Sequence, residues 1–367
     1  MPKPLLQRAL KLVLSAGIAL SLTAALAACG TSSTSSSSAE GLKTVTFMLS
    51  WIPDTNHIGA YIAQERGYFK EEGLNVDIVA ASQAGAEQAV STGAADFALS
   101  NTFNVGVANI KDAGLKLIAQ VQQRTSAIWC SLASNTSIQS PKDFDGKTFA
   151  TFGANESDAV IKRMIQTDGG TGNFDKVTVG TSTFQTLSSG RADFGGFYAT
   201  WEGVQAELYG PQLNCWNEPD YGVPGNADEI GIITSDKMIS SDKNTVQGFT
   251  RAVQKGYTWA YLHPDDAAEI LVNAAKDANL DSELVKHSME AIVDGQYWGS
   301  ADDVKSGAFT IGTMNTEAAQ QYFDFVKDSG AYTDSNNQTV TTAPQATDQV
   351  DEEFLISGAD IVKAIGS

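Results

Sequence analysis

The run TVTFMLSWIPDTNHIGAYIAQERGYFKEEGLNVDIVA, residues 44–80, decides the fold. Its opening, Thr44–Ser50, mixes β-branched and apolar side chains and predicts a strand. Ile58–Arg66 follows with apolar residues at helical spacing, and Gly67 stops it. Asn75–Ala80 returns to strand chemistry. A strand, a crossover helix and a second strand in so short a run build a mostly parallel sheet with helices on both faces.

Working outward, the alternation continues. Ala84–Ser91 reads as a helix, Phe97–Ser100 as a strand, Phe103–Asp112 as a helix and Leu115–Gln120 as a fourth strand. A second α/β unit follows. It has a turn at residues 140–147, strands at Thr148–Thr151, Val177–Val179 and Ala192–Phe197, and helices at Glu156–Thr167 and Trp201–Tyr209. Glu229–Thr234 reads as a buried strand. The rest is mainly helical. Lys243–Leu262 is amphipathic, with Val246, Phe249, Val253, Tyr257 and Ala260 on one stripe, and Asp265–Ala275, Ser282–Asp294 and Thr316–Ser329 come after it. Residues 333–349 are polar and loop-like, and Phe354 and Leu355 tie the C-terminus down.

This pattern predicts an α/β protein of two lobes joined by a two-strand hinge. The chain crosses out near Ser131–Ser134 and back near Ile230–Thr234. Lobe one is then residues 43–131 plus 232–367, and lobe two residues 132–231. Hinged lobes of this kind close on a ligand.

Residues 1–28 have the parts of a secretory signal: Lys3, Arg8 and Lys11, an uncharged stretch from Leu12, and small residues before Cys29. Leu26-Ala27-Ala28-Cys29-Gly30 resembles the bacterial lipobox, which makes Cys29 the lipidation site. The Ser/Thr-rich tract at 30–40 makes residues 29–42 a flexible tether. The expectation is an extracytoplasmic protein held to a membrane through its N-terminal lipid.

The chain carries 43 acidic against 24 basic residues, a formal charge of −19. That balance excludes nucleic acid as a partner, because neutralising phosphates needs Lys/Arg patches. It also disfavours an anion held by a broad basic field. Apart from Cys29, only Cys130 and Cys215 remain, either joined or as small buried apolar residues. No Cys/His cluster, HExxH, GxGxxG, GxSxG or Walker loop occurs, so no metal, cofactor or catalytic residue is expected. His263 and His287 lie at a helix end and on a helix face and read as structural.

Ligands of open α/β sheets bind beyond the carboxyl ends of strands, and the candidates stand there. Trp51 offers a stacking face or a core aromatic. Asn56 offers an amide or a helix cap, and His57 a ligand contact or a structural hydrogen bond. Asp54 either faces the site or faces solvent. Asn101 follows the third strand in a capping position, and Gln120 and Gln122 end the fourth, in the site or solvated. In lobe two, Gly153 and Asn155 lie between a strand and a helix whose N–H groups can receive a carbonyl. Tyr198, Trp201 and Glu202 follow the strand Ala192–Phe197, with Glu202 either a charged acceptor for an amine or an acid favoured by the helix dipole.

Trp51-x-Pro53-x-x-x-His57-x-Gly59, then Gly67-Tyr68-Phe69, Glu72-Gly73-Leu74 and Gly93-Ala94-Ala95-Asp96-Phe97-Ala98, resembles the thiamine-pyrimidine-precursor and sulfonate/nitrate group of periplasmic-type binding proteins. Trp201-Glu202-Gly203 is similar to the group's step that turns an acid toward the ligand. The resemblance spans residues 43–330 and is strongest over 46–120. It implies a type II binding fold and a monomeric, non-catalytic substrate-binding protein of an ABC importer, with membrane permease and ATPase partners. It further implies a flat heterocyclic ligand of the formylaminopyrimidine or hydroxymethylpyrimidine kind. The alternatives it leaves are riboflavin, an alkanesulfonate, nitrate or taurine, and, from another class, a pyrimidine synthase-like enzyme of the same fold. Asp54 departs from the Asn expected after Trp-x-Pro and puts the exact ring in doubt.

Overall fold

A computed structural model of the protein describes residues 41–82, 84–153, 156–226 and 230–366. The expected leader, Cys29 and the tether as far as residue 40 lie outside the described residues. Among the described residues, ten strands form two five-stranded sheets. The first holds β1 (Lys43–Met48), β2 (Leu74–Val79), β3 (Phe97–Asn101), β4 (Leu115–Gln120) and β10 (Ile230–Ser235) in the order β2-β1-β3-β10-β4. The second holds β5 (Ala127–Leu132), β6 (Thr148–Thr151), β7 (Asp175–Thr178), β8 (Phe194–Tyr198) and β9 (Leu213–Asn217) in the order β7-β6-β8-β5-β9.

Within the first sheet β1 runs parallel to β2 and β3, whereas β10 is antiparallel to β3 and β4. That reversal follows from topology, since β10 belongs to the returning chain and enters from the other lobe. β3 is buried from Phe97 to Ser100, and its opening Phe97-Ala98-Leu99 reads as a continuous apolar run instead of an alternation. Phe249, on the helix Lys243–Leu262, stacks on Phe97 with ring centroids 3.8 Å apart and also meets Phe69 and Phe47. Gly256 on the same helix lies so close to the first helix that a Cβ there would fall 2.0 Å from the Gly59 carbonyl oxygen. Only glycine permits that crossing. The second sheet has its own aromatic core, with Phe194 stacked on Phe144 at 4.1 Å.

One boundary differs from the sequence reading. β5 pairs with β8 and β9, so the outward crossing falls at residues 121–126, ahead of the expected 131–134. The return strand falls where expected, as β10. Residues 121–126, the outward crossing, are irregular: the Val121 and Gln122 N–H groups donate to the Ile230 carbonyl, Gln120 donates to the Gln122 carbonyl at 2.9 Å, and Gln122 donates to the Ser126 hydroxyl at 3.1 Å. Both glutamines are buried and not solvated. The helix Thr316–Asp328 does not serve lobe one alone. Its Tyr322, Phe323 and Phe325 join the core of the second sheet together with Phe103, and Arg163 lies over the Phe325 ring at 5.0 Å. β9 and the final helix Gly358–Ile365 were not foreseen.

Cys130 and Cys215 face each other across β5 and β9 and are joined as a disulfide. Among the described residues no helix is long and apolar enough to cross a membrane.

Candidate functional site

The carboxyl ends of β1 and β3 and the ends of β6 and β8 open into one cavity of about 450 Å³ between the sheets. Its first-lobe wall begins with the turn after β1. Asp54 caps that turn, its carboxylate accepting from the Asn56 backbone N–H at 2.9 Å. His57 is fully buried beneath it. Its Nε2 accepts from the Ser50 backbone N–H at 3.3 Å, and its Nδ1 lies 3.0 Å from the Asp54 carboxylate. The Tyr257 hydroxyl donates to the Asn56 carbonyl at 2.6 Å, and the hydroxyls of Thr55 and Ser288 meet at 2.7 Å. These contacts anchor the turn to two first-lobe helices and hold Trp51 and Asn56 at the cavity.

The second-lobe wall is made by β8 and the π-type turn Ala199–Gly203. Trp201 from this turn lines the cavity and also packs against the first lobe's core. One side chain thus has a footing in both halves. Glu202 lines the same cavity and accepts from the Tyr198 backbone N–H at 3.2 Å. Burial pushes its carboxyl up to about 7, against the pull of that hydrogen bond and with a smaller push from the Asp54 charge. Trp129 on β5 adds an indole whose N–H donates to buried Glu218 at 3.1 Å. Gly196 makes room for it, since a Cβ there would meet that ring at 2.9 Å. At the mouth, Phe152 comes edge-on to Trp51 with centroids 6.2 Å apart.

Of the residues expected from sequence, Trp51, Asn56, Asn101, Tyr198, Trp201 and Glu202 all line this cavity. Asn101 also caps the helix Thr102–Asn109, accepting from the Asn104 backbone N–H at 2.7 Å. His57 does not reach the cavity, because its ring is consumed by the cap beneath the turn. Gly153 is likewise absent from the lining. It turns the chain at φ 117° and donates to the Thr151 hydroxyl, leaving Phe152 as the contributor. Asn155 lies outside the described residues. Asp54 is buried, not solvent-facing, and borders the site.

Sequence reasoning missed Glu87, Glu156, Glu218, Trp129 and Phe152, all of which line the cavity. The three acids stand in the first turns of helical segments, where a dipole-favoured acid is unremarkable. Glu87 accepts from the Ser100 hydroxyl. Burial raises the Glu156 carboxyl above its ordinary value. No Lys, Arg or His is found among the described lining residues. No group of three or more His, Cys, Asp or Glu suited to a metal occurs among the described residues.

Two α/β sheets, a double crossing and a cleft at the strand ends define a type II periplasmic binding protein fold, the architecture of small-solute-binding proteins. The chain belongs to the NMT1/THI5-like family, whose description matches residues 54–267. It is 32% identical to the formylaminopyrimidine-binding protein of Halalkalibacterium halodurans over 276 residues, covering 73% of this chain and 82% of that protein. The periplasmic aliphatic sulphonate-binding protein SsuA of Escherichia coli superposes with a TM-score of 0.61 at 12% identity, over 84% of this chain and 92% of that one. The desulfurization enzyme DSZB superposes at 0.53 and 12% identity, over 88% and 99%. The last two likenesses concern the fold, which hosts both binding and catalysis, so function is argued from the site.

Proposed function

We propose that the protein is the extracytoplasmic substrate-binding component of an ABC importer and that it captures a flat, amine-bearing nitrogen heterocycle of the formylaminopyrimidine class. The carrying observation is the lining: indoles from both lobes combined with carboxylates and, among the described residues, no cation. Aromatic walls suit a planar ring, with about 0.5–1.5 kcal/mol per stacked pair beyond area burial. Carboxylates suit exocyclic amines and ring N–H groups, since ionised acceptors make hydrogen bonds roughly twice as strong as neutral ones. The same lining weighs against an alkanesulfonate, nitrate or taurine, whose anionic head would meet acids. The buried, fully engaged ring of His57 weighs against a synthase that would use it as a reactive group.

In this reading the ligand bridges Trp51 and Asn56 on one lobe to Glu202 on the other and shifts the open–closed balance toward closure. The closed form then docks on a membrane permease served by an ATPase. Lipidation at Cys29 after removal of residues 1–28 keeps the protein, as a monomer, on the outer face of the membrane.

Thermal unfolding tests the assignment. Formylaminopyrimidine at a hundredfold excess over its Kd should stabilise the protein by about 2.7 kcal/mol, while an alkanesulfonate leaves the transition where it was. A sulfonate-dependent shift without a pyrimidine-dependent one would reverse the choice.

A further inference from the structure

We propose that the cleft is built for an occupant that bears a positive charge when bound, either as an ammonium substituent or as a protonated ring nitrogen. The inference rests on the heterocycle reading above and narrows it.

The charge of the walls comes from both lobes. Asp54 and Glu87 stand on the first, Glu156 and Glu202 on the second, and all four border the same cavity. What the protein supplies to these groups is mostly neutral. Glu87 takes a serine hydroxyl, Glu202 takes a backbone N–H, and Asp54 takes the Asn56 backbone N–H beside the His57 ring. Among the described residues neither Lys nor Arg pairs with Glu87, Glu156 or Glu202. The rings of Trp51, Trp129 and Trp201 line the same cavity as these acids. Indole faces attract cations, the more so when the partners are desolvated. An aromatic enclosure with carboxylates on two sides is thus complementary to a flat cation and uncompensated by a neutral ring.

The titration behaviour agrees with this geometry. Burial raises both Glu156 and Glu202. A cation seated between them favours their ionised forms and reverses that shift. A neutral ligand that only fills the space adds to the desolvation instead.

Calorimetry with two pairs of compounds, each alike in shape and different in charge, tests the proposal. One pair is formylaminopyrimidine and its aminomethyl counterpart, which carries an ammonium near neutral pH. The other is nicotinamide and 1-methylnicotinamide, a fixed cation. The cationic member of any pair that binds should bind about tenfold tighter, the scale of one charge-assisted hydrogen bond over a neutral one. Glu156→Gln and Glu202→Gln, each checked for native circular dichroism, should lower that ratio about threefold or more. Equal or tighter binding of the neutral members would overturn the inference and leave the heterocycle site intact. If neither pyrimidine binds but the nicotinamide pair shows the cation preference, the pyrimidine assignment falls and the charge selection stands. If none of the four binds, both fall.

Discussion

The two walls of the cleft are built to different standards. On the first lobe, the turn bearing Trp51 and Asn56 is tied by an aspartate cap, a buried histidine, the Tyr257 hydroxyl and a Thr55–Ser288 contact. Beneath it the helices cross at glycine distance. On the second lobe, Phe152 is half exposed, β8 is thinned by Gly195 and Gly196, and the edge strand β9 pairs with β5 alone. Under the proposed function, the wired wall fixes the ring's position and the lighter wall closes over it, which divides recognition and motion between lobes.

That division can be broken from either side. The largest effect belongs to Phe249→Ala, which empties the stacked centre of the first lobe. It should cost about 3–5 kcal/mol by urea unfolding and disturb the Trp51 turn through its supporting helix. Next comes joint replacement of Cys130 and Cys215 by Ser, which frees a loop of 85 residues and should cost about 2–4 kcal/mol. Because Glu218 directly follows β9, ligand affinity should weaken with it. Unchanged affinity would show that Glu218 is held independently of the edge strand.

Glu202→Gln sharpens the comparison through pH. The carboxyl rises from an ordinary 4.5 to about 7 in the folded protein. The native state therefore holds the proton longer than the unfolded chain does. Stability contributed by the protonated group is present at low pH, declines as pH rises from about 4.5 to 7, and is flat above. The amide should abolish that decline and leave the ligand-free protein about 1–3 kcal/mol more stable at pH 8, read as denaturant midpoints from pH 4 to 8. Ligand binding should weaken in the same variant, because the ionised acceptor is gone. The smallest effect is expected from Tyr209→Phe. The Tyr209 hydroxyl on the second lobe donates to Asp281 on the first at 2.9 Å, outside the cavity. Stability should be almost unchanged, while stopped-flow release of ligand quickens.

The same contrast governs what could be read in the sequence. β1 to β4 are short apolar runs, punctuated by Gly67, Gly73, Gly93 and Gly114, and their positions were legible to within a residue or two. β9, Leu-Asn-Cys-Trp-Asn, is an edge strand open to solvent, so burial never imposed an apolar pattern on it. β5 escaped notice because it follows the polar crossing instead of a helix. In the site, residues just beyond strand ends were found, since topology alone predicts their convergence. The acids Glu87, Glu156 and Glu218 were not, because an acid in a first turn serves the helix dipole in most proteins and only tertiary packing turns it inward. His57 was overread for a converse reason: a conspicuous side chain inside a motif proved to be a brace.

The edge-on meeting of Trp51 and Phe152 at the mouth has a practical corollary. The indole sits on one lip and its phenyl neighbour on the other, so any parting of the lips exchanges hydrocarbon for water around a fluorophore. The chain carries a native optical gauge of its own gape: emission should redden on opening and turn blue on capture, with no dye attached.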